Sequence, residues 1–109
     1  MERKSLSIAL SGGETVSAVL TIPAGKMPHS VPGILMAHGT GNDMETPILT
    51  AFADGLTGAG YPVLRFNFPY KEKGLNAPDR PETLEETWLA AYRYFLQNSG
   101  LDLTKIVAA

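Results

Sequence analysis

Few residues in this chain could do chemistry, and the most suggestive of them stand together at His38-Gly39-Thr40-Gly41. Small residues after an apolar run let the backbone turn sharply with its N–H groups aimed at one point. Donors arranged in that way can hold a developing oxyanion. His38 and Asp43 could also be taken for metal ligands, but no third or fourth ligand follows at suitable spacing, so no metal site is predicted. Nucleophiles are scarcer still. Cys is absent, and Ser11, in Ala9-Leu10-Ser11-Gly12-Gly13, has the spacing of a relaxed nucleophile elbow in the wrong setting. It lies between two extended segments, whereas an elbow joins a strand to a helix. Ser30 precedes Val31-Pro32 and Ser99-Gly100 closes a helical pattern, so turn and cap roles account for both. Asp79 and Asp102 read as loop or cap residues and Asp54 as a solvent-facing helix position.

Two further polar residues interrupt an apolar run at Arg65 and Asn67. A buried guanidinium needs partners to offset its desolvation, so Arg65 is expected to meet a carboxylate. Asn67 could cap a loop, and with Phe68 it could border a pocket, because ligands of open α/β sheets bind at the carboxyl ends of the strands.

The elements that must position these residues follow from periodicity. Leu6, Ile8 and Leu10 alternate with polar residues, as do Val16, Ala18, Leu20 and Ile22, on either side of Gly12-Gly13. This predicts a β-hairpin over 4–22 with glycines in its turn. The prolines, glycine and polar residues of 23–30 predict a surface connection. The run 33–37 is apolar without alternation, as expected of a parallel strand covered on both faces. Thr46 and Pro47 would open a helix over 46–59 carrying Ile48, Leu49, Phe52, Ala53 and Leu56 at helical spacing. A second central strand is predicted over 62–68, then a loop through Gly74, Pro78 and Pro81. Capping-box spacing at Thr83-Leu84-Glu85-Glu86 predicts a helix over 83–98, with Leu84, Trp88, Ala91 and Phe95 inward and Tyr92 near the same packing face. A last strand covers 105–109. The order predicts a single α/β unit with a three-layer αβα arrangement.

Hydrophobic residues make up 44% of the 109 and charged residues 18%, the balance of a folding globular chain. The formal charge of -2 is spread without a basic block, which argues against nucleic acid as a partner. No apolar run approaches the roughly 20 residues that span a bilayer, and the charged start leads into no signal-peptide core. A cytoplasmic protein is expected.

The run from Ile34 to Asp43, with Gly60-Tyr61-Pro62-Val63-Leu64-Arg65-Phe66-Asn67-Phe68-Pro69-Tyr70, resembles the start of small α/β-hydrolases related to dienelactone hydrolase. The resemblance covers nearly the whole chain. It implies that residues 1–109 are one partial domain, the N-terminal half of the family's sheet, ending just before the nucleophile elbow. It further implies that the backbone N–H of Thr40, then that of Gly41, donates to the oxyanion, while His38 and Gly39 shape the loop and border the pocket. In the family the nucleophile, acid and histidine base come later, so all three would lie beyond Ala109. An ester, lactone or related acyl substrate is implied, with no cofactor, and the 109 residues alone are expected to be inactive. The competing expectation is a non-catalytic binding module that uses the open edge of its last strand, where self-association could also occur.

Overall fold

The computed structural model describes residues 1–24, 31–39 and 42–109. Five strands form one sheet in the order β1-β2-β4-β3-β5. They are β1 (Glu2–Ala9), β2 (Thr15–Ile22), β3 (Val31–Ala37), β4 (Val63–Phe66) and β5 (Leu103–Ala108). β1 and β2 pair antiparallel, and β2 pairs antiparallel with β4. β3 is parallel to both β4 and β5. The hairpin closes through Gly12 and Gly13, both at φ 88°, a conformation open to glycine without a Cβ clash.

Among the described residues, three helices connect the parallel strands: α1 (Pro47–Gly58), a short α2 (Pro69–Glu72) and α3 (Pro81–Arg93). α3 continues as a π-helical turn, Tyr94–Asn98. From β3 the chain crosses to β4 on one side, and from β4 it crosses back beyond β3 to β5. Right-handed crossovers running in opposite directions place their helices on opposite faces of a sheet. Accordingly, α1 covers Met36 and Val63 with Ala53, Leu49 and Leu56, while α3 covers Leu35, Leu64 and Phe66 with Ala91, Phe95, Leu84 and Trp88. The architecture is a mixed open α/β sheet between two helical layers.

Several expectations need correction. The strand predicted over 62–68 spans Val63–Phe66, because Phe68 stands at the N-cap of α2 and Pro69 opens that helix. The helix predicted over 83–98 begins earlier, at Pro81, whose fixed φ and missing N–H suit the first helical position. Thr83 therefore lies inside the first turn and makes no capping box; Arg80 holds the N-cap without a side-chain bond. The last strand begins at Leu103 and not at 105. On α1, Ile48 and Phe52 face solvent, and the inward stripe is Leu49, Ala53, Leu56 and Thr57. Tyr92 is likewise exposed. Of the 23–30 connection, only Pro23 and Ala24 fall within the described residues.

β2 is more deeply placed than its alternation implies. Val16, Ala18 and Leu20 join the larger core, but Val19 and Thr21 on the other face are buried as well. Thr21 meets Thr57 of α1 across a hydroxyl pair at 2.7 Å, which satisfies both buried oxygens.

Candidate functional site

The crossovers diverge at β3 and β4: the chain leaving β3 turns to the α1 face and the chain leaving β4 to the α3 face. Such a divergence opens a crevice at the carboxyl ends of the two strands, the usual ligand position in open α/β sheets. His38 and Gly39 stand at the end of β3, Asn67 and Phe68 at the end of β4. All four predicted border residues are thus brought to one edge. Thr40 and Gly41, the predicted oxyanion donors, lie outside the described residues.

His38 is buried, and both ring nitrogens are engaged. Nε2 accepts the backbone N–H of Phe68 at 3.1 Å, and Nδ1 lies 3.0 Å from the carbonyl of its neighbour Gly39. With Nε2 an acceptor, the ring carries its hydrogen on Nδ1 and donates it to that carbonyl. Phe68 and Tyr70 meet the imidazole edge-on at centroid distances of 5.1 and 5.6 Å. A ring used in this way ties the end of β3 to the end of β4 and has no nitrogen left for a metal or a substrate proton. His38→Leu removes the acceptor and strands a buried N–H. The expected loss of unfolding free energy is about 1–3 kcal/mol, read by urea titration, with a smaller loss for His38→Gln, which can return an acceptor.

The loop beyond Gly39 is pinned from the same strand. Asn67 Oδ1 accepts the N–H of Met44 at 2.8 Å, and Arg65 Nη1 donates to the Met44 carbonyl at 2.7 Å and to Glu45 Oε1 at 3.1 Å. The carboxylate expected for Arg65 is thus Glu45. Asn67 braces the loop, as one of its two predicted roles required, and its Nδ2 also donates to Glu72 Oε1 at 3.3 Å. Within the loop, Asp43 Oδ1 accepts the N–H of Glu45, and Thr46 Oγ1 accepts the N–H of Asp43. Asp43 is therefore a turn residue. Thr46 stands at the N-cap of α1 but spends its hydroxyl on the loop and not on the helix.

Sequence reasoning passed over Met44, Glu45, Tyr70 and α2. Pro69 after Phe68 was the available signal, since proline favours the first helical position. Asp79 Oδ2 accepts the Tyr70 N–H at 3.0 Å, satisfying a donor in the first turn of α2. Burial, and then the Asp79 carboxylate, raise the Tyr70 phenol above its ordinary 10.0. It stands beside His38 as a neutral hydroxyl. Ser11 sits in the hairpin turn, where its hydroxyl bonds Glu86 on α3. Asp54 pairs with Arg3 at the surface at 3.0 Å.

Comparison with known proteins agrees with this geometry. A family model described as an alpha/beta hydrolase domain matches residues 31–107. The chain belongs to the α/β-hydrolase family. A hypothetical protein of Pseudomonas aeruginosa superposes with a TM-score of 0.78 at 18% identity, covering 98% of this chain and 34% of that one. A lidless α/β serine hydrolase of Xanthomonas campestris gives 0.74 at 19% identity, covering 99% and 50%. Dienelactone hydrolase of Anabaena variabilis gives 0.77 at 20% identity, covering 99% and 51%. At these identities the likeness is one of fold. The chain spans between about a third and a half of those structures, 34% to 51% of their length. A sequence search among curated proteins finds no match. Among the described residues, no helix is long and apolar enough to cross a membrane.

Proposed function

We propose that this chain supplies the oxyanion side of an acyl hydrolase acting on an ester, lactone or related bond. The observation that carries the reading is the loop after β3, anchored at the carboxyl ends of the two parallel strands by His38, Arg65 and Asn67. An oxyanion site needs its donors fixed before the reaction, and a loop held through the N–H and the carbonyl of Met44 supports that reading. Thr40 and then Gly41 are the donors on this reading, and the substrate is a small acyl compound. The nucleophile, its histidine and the orienting carboxylate come from residues other than these 109.

The test is ester turnover. The 109-residue chain, purified alone, is expected to hydrolyse p-nitrophenyl acetate no faster than buffer, while the protein translated from the complete reading frame turns it over. Turnover by the 109 residues that survives Ser11→Ala would overturn the assignment of the nucleophile to another segment.

A second reading has one observation in its favour. β5 lies at the sheet edge with Val107 exposed, so a partner strand could add there, including one from a second copy. Concentration-dependent association lost on Val107→Lys would support that module.

A further inference from the structure

Arg65 is an unexpected occupant of its position. It stands in the middle of β4, 1% exposed, with Val63, Leu64 and Phe66 buried around it. Nη1 has partners, but Nε and Nη2 reach no acceptor among the described residues. Among the described residues, the one carboxylate that answers its charge belongs to Glu45, whose side chain is 59% exposed. A guanidinium desolvated on those terms is less favourable for folding than an apolar side chain of similar length. Packing alone would select methionine or leucine there. Groups that burden stability in this way persist where the geometry they impose is used.

That geometry is visible. Arg65 and Asn67 are two residues apart on one strand and so project to the same face, the face covered by α1. Between them they hold both backbone polar groups of one residue: the Met44 N–H on Asn67 and the Met44 carbonyl on Arg65. His38, from the other end of the loop, is held by Phe68, the residue after Asn67. A rigid strand therefore grips the loop at its start and again six residues on.

We propose that Arg65 and Asn67 are positioning residues for the site at the carboxyl ends of β3 and β4, acting through the backbone of Met44 that they hold. The role in turnover rests on the acyl-hydrolase reading; the grip on the loop does not. Two kinds of measurement separate these. In the full chain, Asn67→Ala and Arg65→Met are expected to speed amide hydrogen exchange at Met44 and Glu45 by about tenfold or more, with exchange at Leu35 and Leu64 unchanged. Arg65→Met is expected to keep or raise the melting temperature, and Arg65→Lys, which retains a donor, to recover part of the protection. In the protein from the complete reading frame, the same two substitutions are expected to lower kcat about tenfold or more with KM within about twofold. Unchanged exchange at Met44 would overturn the grip. A fall in melting temperature with faster exchange throughout the sheet would make Arg65 a core residue and overturn its positioning role. A loosened loop with undiminished turnover would uphold the grip and overturn the oxyanion reading.

Discussion

Phe95→Ala is expected to lower the unfolding free energy by about 3–5 kcal/mol, the range for emptying a buried aromatic site. Phe95 is fully buried and closes the inward stripe of α3, four residues beyond Ala91 and at the start of the π-helical turn. Its ring lies on β3 at the one residue that can admit it. A Cβ built on Gly33 would come 2.7 Å from Phe95 Cζ, 2.8 Å from Cε2 and 3.0 Å from Leu103 Cδ1. Those distances leave no room for a methyl group unless the ring moves, and the ring is enclosed by core on its other sides. Gly33→Ala is accordingly expected to cost about 1–3 kcal/mol by overpacking. The two sites share one volume, so their effects should not add. Gly33→Ala with Phe95→Leu is expected to be more stable than the sum of the single changes by about 0.5–3 kcal/mol. Urea titration of the four proteins measures this, and strict additivity would show that Phe95 does not pack on Gly33 as described.

Much of this architecture can be read from period and punctuation. The unbroken apolar run from Gly33 to Ala37 marks a strand with helices on both faces, and β3 is such a strand. Leu84, Trp88, Ala91 and Phe95 orient α3 correctly through their three- and four-residue spacing, which keeps them on one helix face. The same reasoning misplaced Ile48 and Phe52, since apolar residues surround much of α1 and period alone cannot choose which of them turn inward. β2 misled in the opposite way. Its alternation suggests one solvent-facing side, yet Val19 and Thr21 are buried, Thr21 against Thr57 of α1, a tertiary fact absent from the local pattern. Gly33 looked like an ordinary member of an apolar run, and only the approach of Phe95 from 62 residues away explains it.

The candidate site was legible in its parts and not in its wiring. His38 and Gly39 announce themselves by spacing, and Asn67 and Phe68 by standing at a strand's carboxyl end. Their bonds depend on β3 and β4 lying side by side in register, Ala37 opposite Phe66, which sequence order does not state. Met44 could not be singled out for the same reason, because its contribution is a backbone N–H and carbonyl, independent of its side chain. Arg65 was legible as a problem needing a carboxylate, and Glu45, 20 residues earlier, became its partner only once the loop folded over β4.

On the proposed reading, Thr40 is the residue whose backbone matters most to turnover. If its backbone N–H receives the negative oxygen of a tetrahedral intermediate, the interaction strengthens as charge develops, and its loss must appear in kcat and leave KM largely as it was. Proline has no N–H to donate, whereas alanine keeps the N–H and removes only the side chain. The direct measurement is kcat for hydrolysis of p-nitrophenyl acetate by the protein from the complete reading frame, compared with its Thr40→Pro and Thr40→Ala variants. Slow amide exchange at Leu35 and Leu64 would verify that each variant is folded. The account predicts a fall of about 10²–10³ in kcat for Thr40→Pro and turnover within a few-fold of the parent for Thr40→Ala. A folded Thr40→Pro protein that keeps the parent's kcat would contradict it.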